Sequence, residues 1–189
     1  MYNFNASFDA HVFLPAVHAY QAITPDFVEQ GVTNFYNNFD DTRTLLNALL
    51  QLKFKATFDS FFRVTYNSIF GIAGIIDVAT YIGIPRHQED FGQVLGHYGV
   101  GPGPYLVIPI VGPANLRDAA GRVADVFPAA TLDPFDLRGH RYRTWTFNIF
   151  RAVDLRANTA FRYYQTGSPF KYELVRMLYS TKRKMDIAK

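Results

Sequence analysis

The chain has 189 residues, 49% hydrophobic and only 19% charged, with 18 Phe, 12 Tyr and one Trp at a formal net charge of +3. That length suits one domain with its own core, and the absence of cysteine excludes disulfides and Cys-based zinc or redox sites. No run of about 18 apolar residues occurs, so nothing reads as a simple transmembrane helix, and Met1-Tyr-Asn-Phe-Asn lacks the basic and apolar regions of a targeting leader.

In chain order, Thr24-Pro25 predicts a helix start, with Thr as N-cap and Pro at the first helical position. Val28, Val32, Phe35, Tyr36 and Phe39 then recur at helical spacing. Asp40-Asp41-Thr42 reads as a break and a new cap. Beyond it, Leu46, Leu50, Phe54, Phe58, Phe61 and Phe62 predict one long amphipathic helix, with Arg43, Asn47, Gln51, Lys55, Asp59 and Arg63 opposite. Between Asn67 and Gly83, isoleucines surround Gly71 and Gly74, which predicts a buried turn or short buried helix. Pro113-Ala-Asn-Leu-Arg-Asp begins a further helix towards Val126, and Pro128 and Pro134 bracket a loop. A stripe from Trp145 through Ile149, Phe150, Val153 and Ala157 to Tyr164 predicts another helix, stopped by Gly167. Ser168-Pro169 starts the last one, with Phe170, Leu174, Met177 and Leu178 on one face. The pattern reads as all-α with one irregular insert.

That insert, Gly96 to Pro113, is rich in glycine yet poorly suited to cradle phosphate. Pro102 and Pro104 have no N–H to offer, and no P-loop lysine follows. It reads as a stiff hairpin-like loop with an apolar tip. Pro109 is expected to interrupt any sheet ladder, leaving the side chains held out rather than paired. Lining a cavity, dipping into lipid and packing as a core loop all remain open.

Charge is unevenly placed. Residues 1–137 carry 7 Lys/Arg against 13 Asp/Glu, and residues 138–189 carry 12 against 3. A basic final third suits anionic headgroups, an acidic partner or nucleic acid. Alternatively, the two parts fold together and neutralise one another.

Asp90-Phe-Gly-Gln-Val-Leu-Gly-His-Tyr-Gly-Val-Gly-Pro-Gly-Pro-Tyr-Leu-Val-Ile-Pro, followed by Leu116-Arg-Asp-Ala-Ala-Gly, resembles the central signature of the MlaA (VacJ) lipoproteins. Met1-Tyr-Asn-Phe-Asn, Asn67-Ser-Ile-Phe-Gly and Gly167-Ser-Pro-Phe extend the resemblance over nearly the whole chain. It implies a ring-like single domain of amphipathic helices lying at a membrane interface, with the Gly/Pro-rich loop lining a channel. It further implies a Gram-negative outer-membrane lipoprotein, anchored in the inner leaflet, that returns misplaced phospholipid and so maintains lipid asymmetry. The implied partners are phospholipid, a trimeric porin and a soluble periplasmic carrier, with neither nucleic acid nor a cofactor. Family precursors carry a signal peptide and a lipid-modified Cys, which this sequence lacks.

On this basis Gly99, Gly101, Gly103, Tyr105, Leu106, Val107, Ile108 and Ile110 are expected to form a gate for lipid tails. Tyr2, Asn3, Phe4 and Asn5 are expected to position it. Arg117 reads chiefly as the structural partner of Asp118 at a helix start, and also as a headgroup or partner contact. Arg138, Arg141 and Arg143, around His140 in a loop, are the remaining candidates for such contacts. No catalytic or metal-binding motif is recognised. The competing readings are a structural porin accessory without a lipid path, and a metal-dependent hydrolase using His87, Glu89, Asp90 and His97, whose spacing matches no established ligand pattern.

Overall fold

A computed structural model of the protein describes residues 1–126, 141–159 and 171–189. The N-terminal segment is helical from α1 (Tyr2–Phe8) through a π-helical turn (Asp9–Phe13) into α2 (Leu14–Ile23). Thr24 closes α2 in an extended conformation, and Pro25 is the N-cap of α3 (Asp26–Leu50), one position later than the sequence suggests. α3 does not break at Asp40-Asp41-Thr42. Asp41 points inward, where Arg63 and Arg86 reach it at 2.9 and 3.0 Å, so its carboxylate serves arginines rather than a helix cap.

The predicted long helix is instead two. The chain reverses at Gln51–Lys53, with Leu52 at φ 58°, before α4 (Phe54–Ile69). α4 packs antiparallel on α3, pairing Asp41 with Arg63 and Asn38 with Ser68. A short α5 (Val78–Tyr81) follows, then α6 (Phe91–His97), capped by the Asp90 side chain on the Gln93 amide.

Two strands come next. β1 (Tyr105–Ile108) and β2 (Gly112–Asn115) pair antiparallel, with Tyr105 opposite Asn115 and Ile108 opposite Gly112. This corrects the expectation of an unpaired loop: Pro109 sits in the turn beyond the ladder and interrupts nothing. Pro113 and Ala114 belong to β2, so the next helix, α7 (Leu116–Ala124), starts only after Asn115 caps it. Arg141 and Arg143 lie on α8 (Arg141–Ala157), not in a loop. The last helix, α9, runs from Lys171 to Ala188. Arg138, His140, Pro128, Pro134, Tyr164, Gly167, Ser168, Pro169 and Phe170 lie outside the described residues. The class is all-α with one small hairpin, and among the described residues no helix is long and apolar enough to cross a membrane.

The burial pattern is inverted. On α4 the buried residues are Ala56, Ser60, Arg63 and Asn67, at helical spacing, while Phe54, Phe58, Phe61 and Phe62 face outward. α3 likewise buries Asp41, Thr44, Asn47 and Ala48. The isoleucine-rich turn after α4 corrects another expectation. Gly71 and Gly74 are buried against Asn67 and Asn38, but Ile69, Phe70, Ile72, Ile75 and Ile76 are exposed.

Candidate functional site

Polar side chains fill the space between the helices, and three hubs organise them. At the first, Arg63 is 1% exposed and makes five hydrogen bonds. Its Nε donates to Asp41, one terminal nitrogen to Thr80 and the Ile84 carbonyl, and the other to both oxygens of Asp77. That uses the full donor set of a guanidinium, which is what a buried arginine requires. Burial alone would raise the Asp77 carboxyl; bonds from Thr80, Arg63 and Asn67 outweigh it and hold the pKa below its ordinary value.

The second hub joins distant segments. Arg183 on α9 donates to Asp90 at 2.7 and 2.8 Å and to Asp118 at 2.8 Å. Asp118 also accepts from Tyr179 at 2.6 Å, Asn115 at 2.8 Å and Arg117 at 3.0 Å. Burial and the Asp118 carboxylate together push the Tyr179 phenol well above its ordinary value. The third hub links Gln51 and Lys53 to Glu89, and Asn47 to Asp125.

Three arginines of the basic final third therefore face inward. Arg183 meets Asp90 and Asp118, Arg156 meets Asp9, and Arg151 meets Asp40. These pairs are neutralisation between the acidic and basic portions of the chain.

Between these elements lies a polar cavity of about 880 Å³, bounded by the middle of α3, the start of α4, residues 86–90 and the end of α9. None of the eight predicted gate residues lines it. They stand elsewhere, on a hairpin held at both ends. At its base, α7 donates backbone N–H groups to Pro104 and Pro102, and Arg117 donates to the Val100 carbonyl at 3.2 Å. Arg117 is buried beside Asp118, so its side chain is committed inside the fold. At the tip, Asn5 donates to the Ile108 carbonyl at 2.9 Å and accepts from the Ile110 amide at 2.8 Å. Ile110 has φ 67°, an outlier for a β-branched residue. The Asn5 amide replaces the partners that this strained turn would otherwise lack. Asn3 and Phe4 are exposed, and Phe4 stacks on Phe8 at 6.0 Å.

Within the loop, Gly99 and Gly103 have positive φ, while Gly101 has open space around it and an ordinary conformation. Tyr105 packs edge-on against Tyr172 and Tyr179, with Arg176 over its ring. Leu106 and Ile110 are exposed, Val107 and Ile108 half-buried. Arg143 is half-buried, over the Tyr142 ring.

The residues of the hydrolase reading are dispersed. His87 bonds Asp59 at 2.8 Å, Glu89 takes Lys53, Asp90 takes Arg183, and His97 is exposed at the end of α6. Among the described residues no group of three or more His, Asp or Glu is placed to hold a metal.

Sequence reasoning missed the close-approach glycines. A Cβ on Gly121 would stand 2.4 Å from the Gly92 backbone nitrogen, and one on Gly96 would stand 2.9 Å from an Arg117 terminal nitrogen. Nor did it single out Arg183 within the basic run Lys182-Arg183-Lys184. No local pattern marks these residues, unlike the inward polar face of α3 and α4, which three- and four-residue spacing does mark.

The family model of the MlaA lipoproteins matches residues 1–186. The chain belongs to the MlaA lipoprotein family. Over 132 residues it is 37% identical to the intermembrane phospholipid transport system lipoprotein MlaA of Escherichia coli, covering 67% of this chain and 51% of that one. An uncharacterized protein of Rickettsia felis is 41% identical over 123 residues, covering 65% of this chain and 49% of its own. The chain thus spans about half the length of these curated relatives. A solved structure described as the structural basis for maintenance of bacterial outer membrane lipid asymmetry superposes with a TM-score of 0.78 at 26% identity. That match covers 95% of this MlaA-family chain and 90% of the other.

Proposed function

We propose that this MlaA-family chain sits in the periplasmic leaflet of a Gram-negative outer membrane and passes misplaced phospholipid inward, maintaining lipid asymmetry. Headgroups travel through the polar interior, and the hairpin Tyr105–Ile110 gates the tails. A trimeric porin holds the protein beside the outer leaflet, a soluble periplasmic carrier receives the lipid, and a lipid anchor on the full-length protein fixes its depth. The transfer makes and breaks no covalent bond.

The observation that carries this reading is the inverted burial. Phe54, Phe58, Phe61 and Phe62 are 61, 60, 49 and 42% exposed, while Arg63, in the same helix, is 1% exposed. Burying a Phe is worth about 1.5–3 kcal/mol, and roughly half of that is left unused at each ring. Across four rings this approaches the low end of a whole domain's stability, about 5–15 kcal/mol. Such a surface is favourable in acyl chains and wasteful in water. The interior shows the converse choice, since polar groups enclosed in hydrocarbon must be satisfied by one another.

The test is complementation. The full-length lipid-anchored protein is expressed in a strain lacking its own copy, and outer-leaflet phospholipid is quantified. Clearance to the wild-type level is expected. Accumulation at the level of the empty strain, with the protein folded and in place, overturns the proposal. Porin binding without clearance would instead support the scaffold reading.

A further inference from the structure

The 880 Å³ cavity carries cations at every depth. Lys55, Lys182 and Lys189 stand at its rim with side chains 78, 69 and 74% exposed, whereas Arg43, Arg86 and Lys53 lie deeper at 35, 26 and 17%. Most of its carboxylates already have partners: Asp90 is held by Arg183, and Glu89 by Gln51 and Lys53. Asp186, also in the lining, faces Lys182 and Lys189, and behind the wall Asp41 and Asp59 take Arg86 and Lys55.

Among the deeper cations Arg43 is the exception. Its ion pair to Asp40 is 3.7 Å long, beyond hydrogen-bonding distance, and Asp40 is also engaged by Arg151. The buried Nε of Arg43 has no hydrogen-bond partner. The buried Nε is closed to a ligand, but the terminal nitrogens belong to a side chain that is 35% exposed and lines the cavity, and phosphate oxygens there would make charge-assisted bonds that suit the guanidinium fork. A volume near 880 Å³ also falls within the usual range for small-molecule sites, about 300–1,000 Å³.

We propose that this cavity seats the phosphate diester of a phospholipid headgroup on Arg43, beside the paired cations Lys53 and Arg86, with the rim lysines drawing it in. The inference rests on the transport reading above and adds the group that recognises the lipid. The exposed lysines raise the local concentration of an anionic headgroup. The deeper cations then replace the water it loses on entry, while the tails remain against the apolar outer surface.

The test is calorimetric titration of the full-length protein in detergent with monomeric dihexanoyl phosphatidylglycerol, and separately with inorganic phosphate. Arg43→Gln is expected to weaken lipid binding about tenfold while thermal unfolding stays within a few degrees of wild type. The double variant Lys55→Gln/Lys182→Gln changes only exposed side chains; it should weaken binding about threefold and flatten its salt dependence. Should Arg43→Gln fail to fold, the double variant carries the test. Unaltered lipid affinity in the folded variants overturns the inference and leaves the transport proposal standing. Inorganic phosphate binding as tightly as the lipid assigns the site to free phosphate and also overturns it. Wild-type protein that binds no lipid refutes the transport reading itself.

Discussion

Arg183 grips Asp90 with both terminal nitrogens, at 2.7 and 2.8 Å, and so fastens the last helix to the N-cap of α6. Its third donor reaches Asp118 at 2.8 Å, where α7 begins. One guanidinium thus joins three helices across 93 residues of sequence, and the Gly/Pro loop is suspended between two of them.

Removing that guanidinium should be severe. Arg183→Met would leave two largely buried carboxylates facing each other, and loss of one partner from such a group costs about 3–5 kcal/mol. Urea unfolding should show the midpoint falling accordingly. Arg183→Lys keeps the charge but cannot make the bidentate contact and the third bond together, so an intermediate loss is expected. Equal stability of all three proteins would mean the hub is not stabilising.

The same contact sets an acid limit. Burial alone would raise the Asp90 carboxyl; the hydrogen bonds and charge of Arg183, with the Gln93 amide and side chain, bring it to about 2 from an ordinary 3.8. Because the folded value is depressed, this stabilisation is full above pH 3.8 and disappears as the pH falls from 3.8 through about 2. A shift of that size corresponds to about 2 kcal/mol. Asp125 and Asp154 are shifted upward by burial, so their contributions have the opposite sign, being present at low pH and lost as the pH rises through their folded values. The comparison of wild type with Asp90→Asn isolates Asp90. Stability of the variant should change less between pH 4 and 2, and parallel curves would contradict the assignment.

The amphipathic faces were legible in the sequence because spacing along a helix fixes them. Arg63, Asn47 and Gln51 could be placed opposite the Phe stripe from their positions alone. The turn at Leu52 was not legible. It depends on Gln51 reaching Glu89 and on α4 folding back so that Arg63 meets Asp41, contacts between residues far apart in the chain. Likewise Asp40-Asp41-Thr42 looks like a cap until Arg63, Arg86 and Arg151 are present to occupy the carboxylates. Arg183 sat between two lysines, and nothing local separates a buried guanidinium from a solvated one. The glycine-rich segment stood out by composition, yet its pairing as a hairpin hinged on where Pro109 fell relative to the ladder.

Asn5 should govern the hairpin tip more than the fold. Asn5→Ala removes both bonds to the Ile108–Ile110 turn, one of which satisfies the strained Ile110 amide. A loss of about 1–3 kcal/mol is expected, with amide exchange rising chiefly in residues 108–112. Asn5→Asp keeps the acceptor for Ile110 and loses the donor, so it should fall between. Exchange rising uniformly along the chain would show that Asn5 supports the global fold instead.

Glycines in and beside the loop should divide by geometry. Gly121→Ala forces a Cβ to 2.4 Å from the Gly92 backbone nitrogen, a contact with backbone that no side-chain motion relieves. α6 and α7 would have to separate, breaking the Asp118 hub, so little folded protein is expected. Gly101 has open space around it and no positive φ, so Gly101→Ala should leave stability within about 1 kcal/mol of wild type. Gly103 has φ 65°, and its Cβ would meet the Leu116 Cβ at 3.1 Å. There alanine takes on a left-handed strain of about 1–2 kcal/mol and presses the loop against α7. The double variant Gly101→Ala/Gly103→Ala should therefore still fold while the loop loses freedom, and under the gate proposal outer-leaflet phospholipid should accumulate in the complemented strain. Clearance at the wild-type rate by a folded double variant would remove the glycines from the gate, leaving the hairpin a structural support for the lipid path.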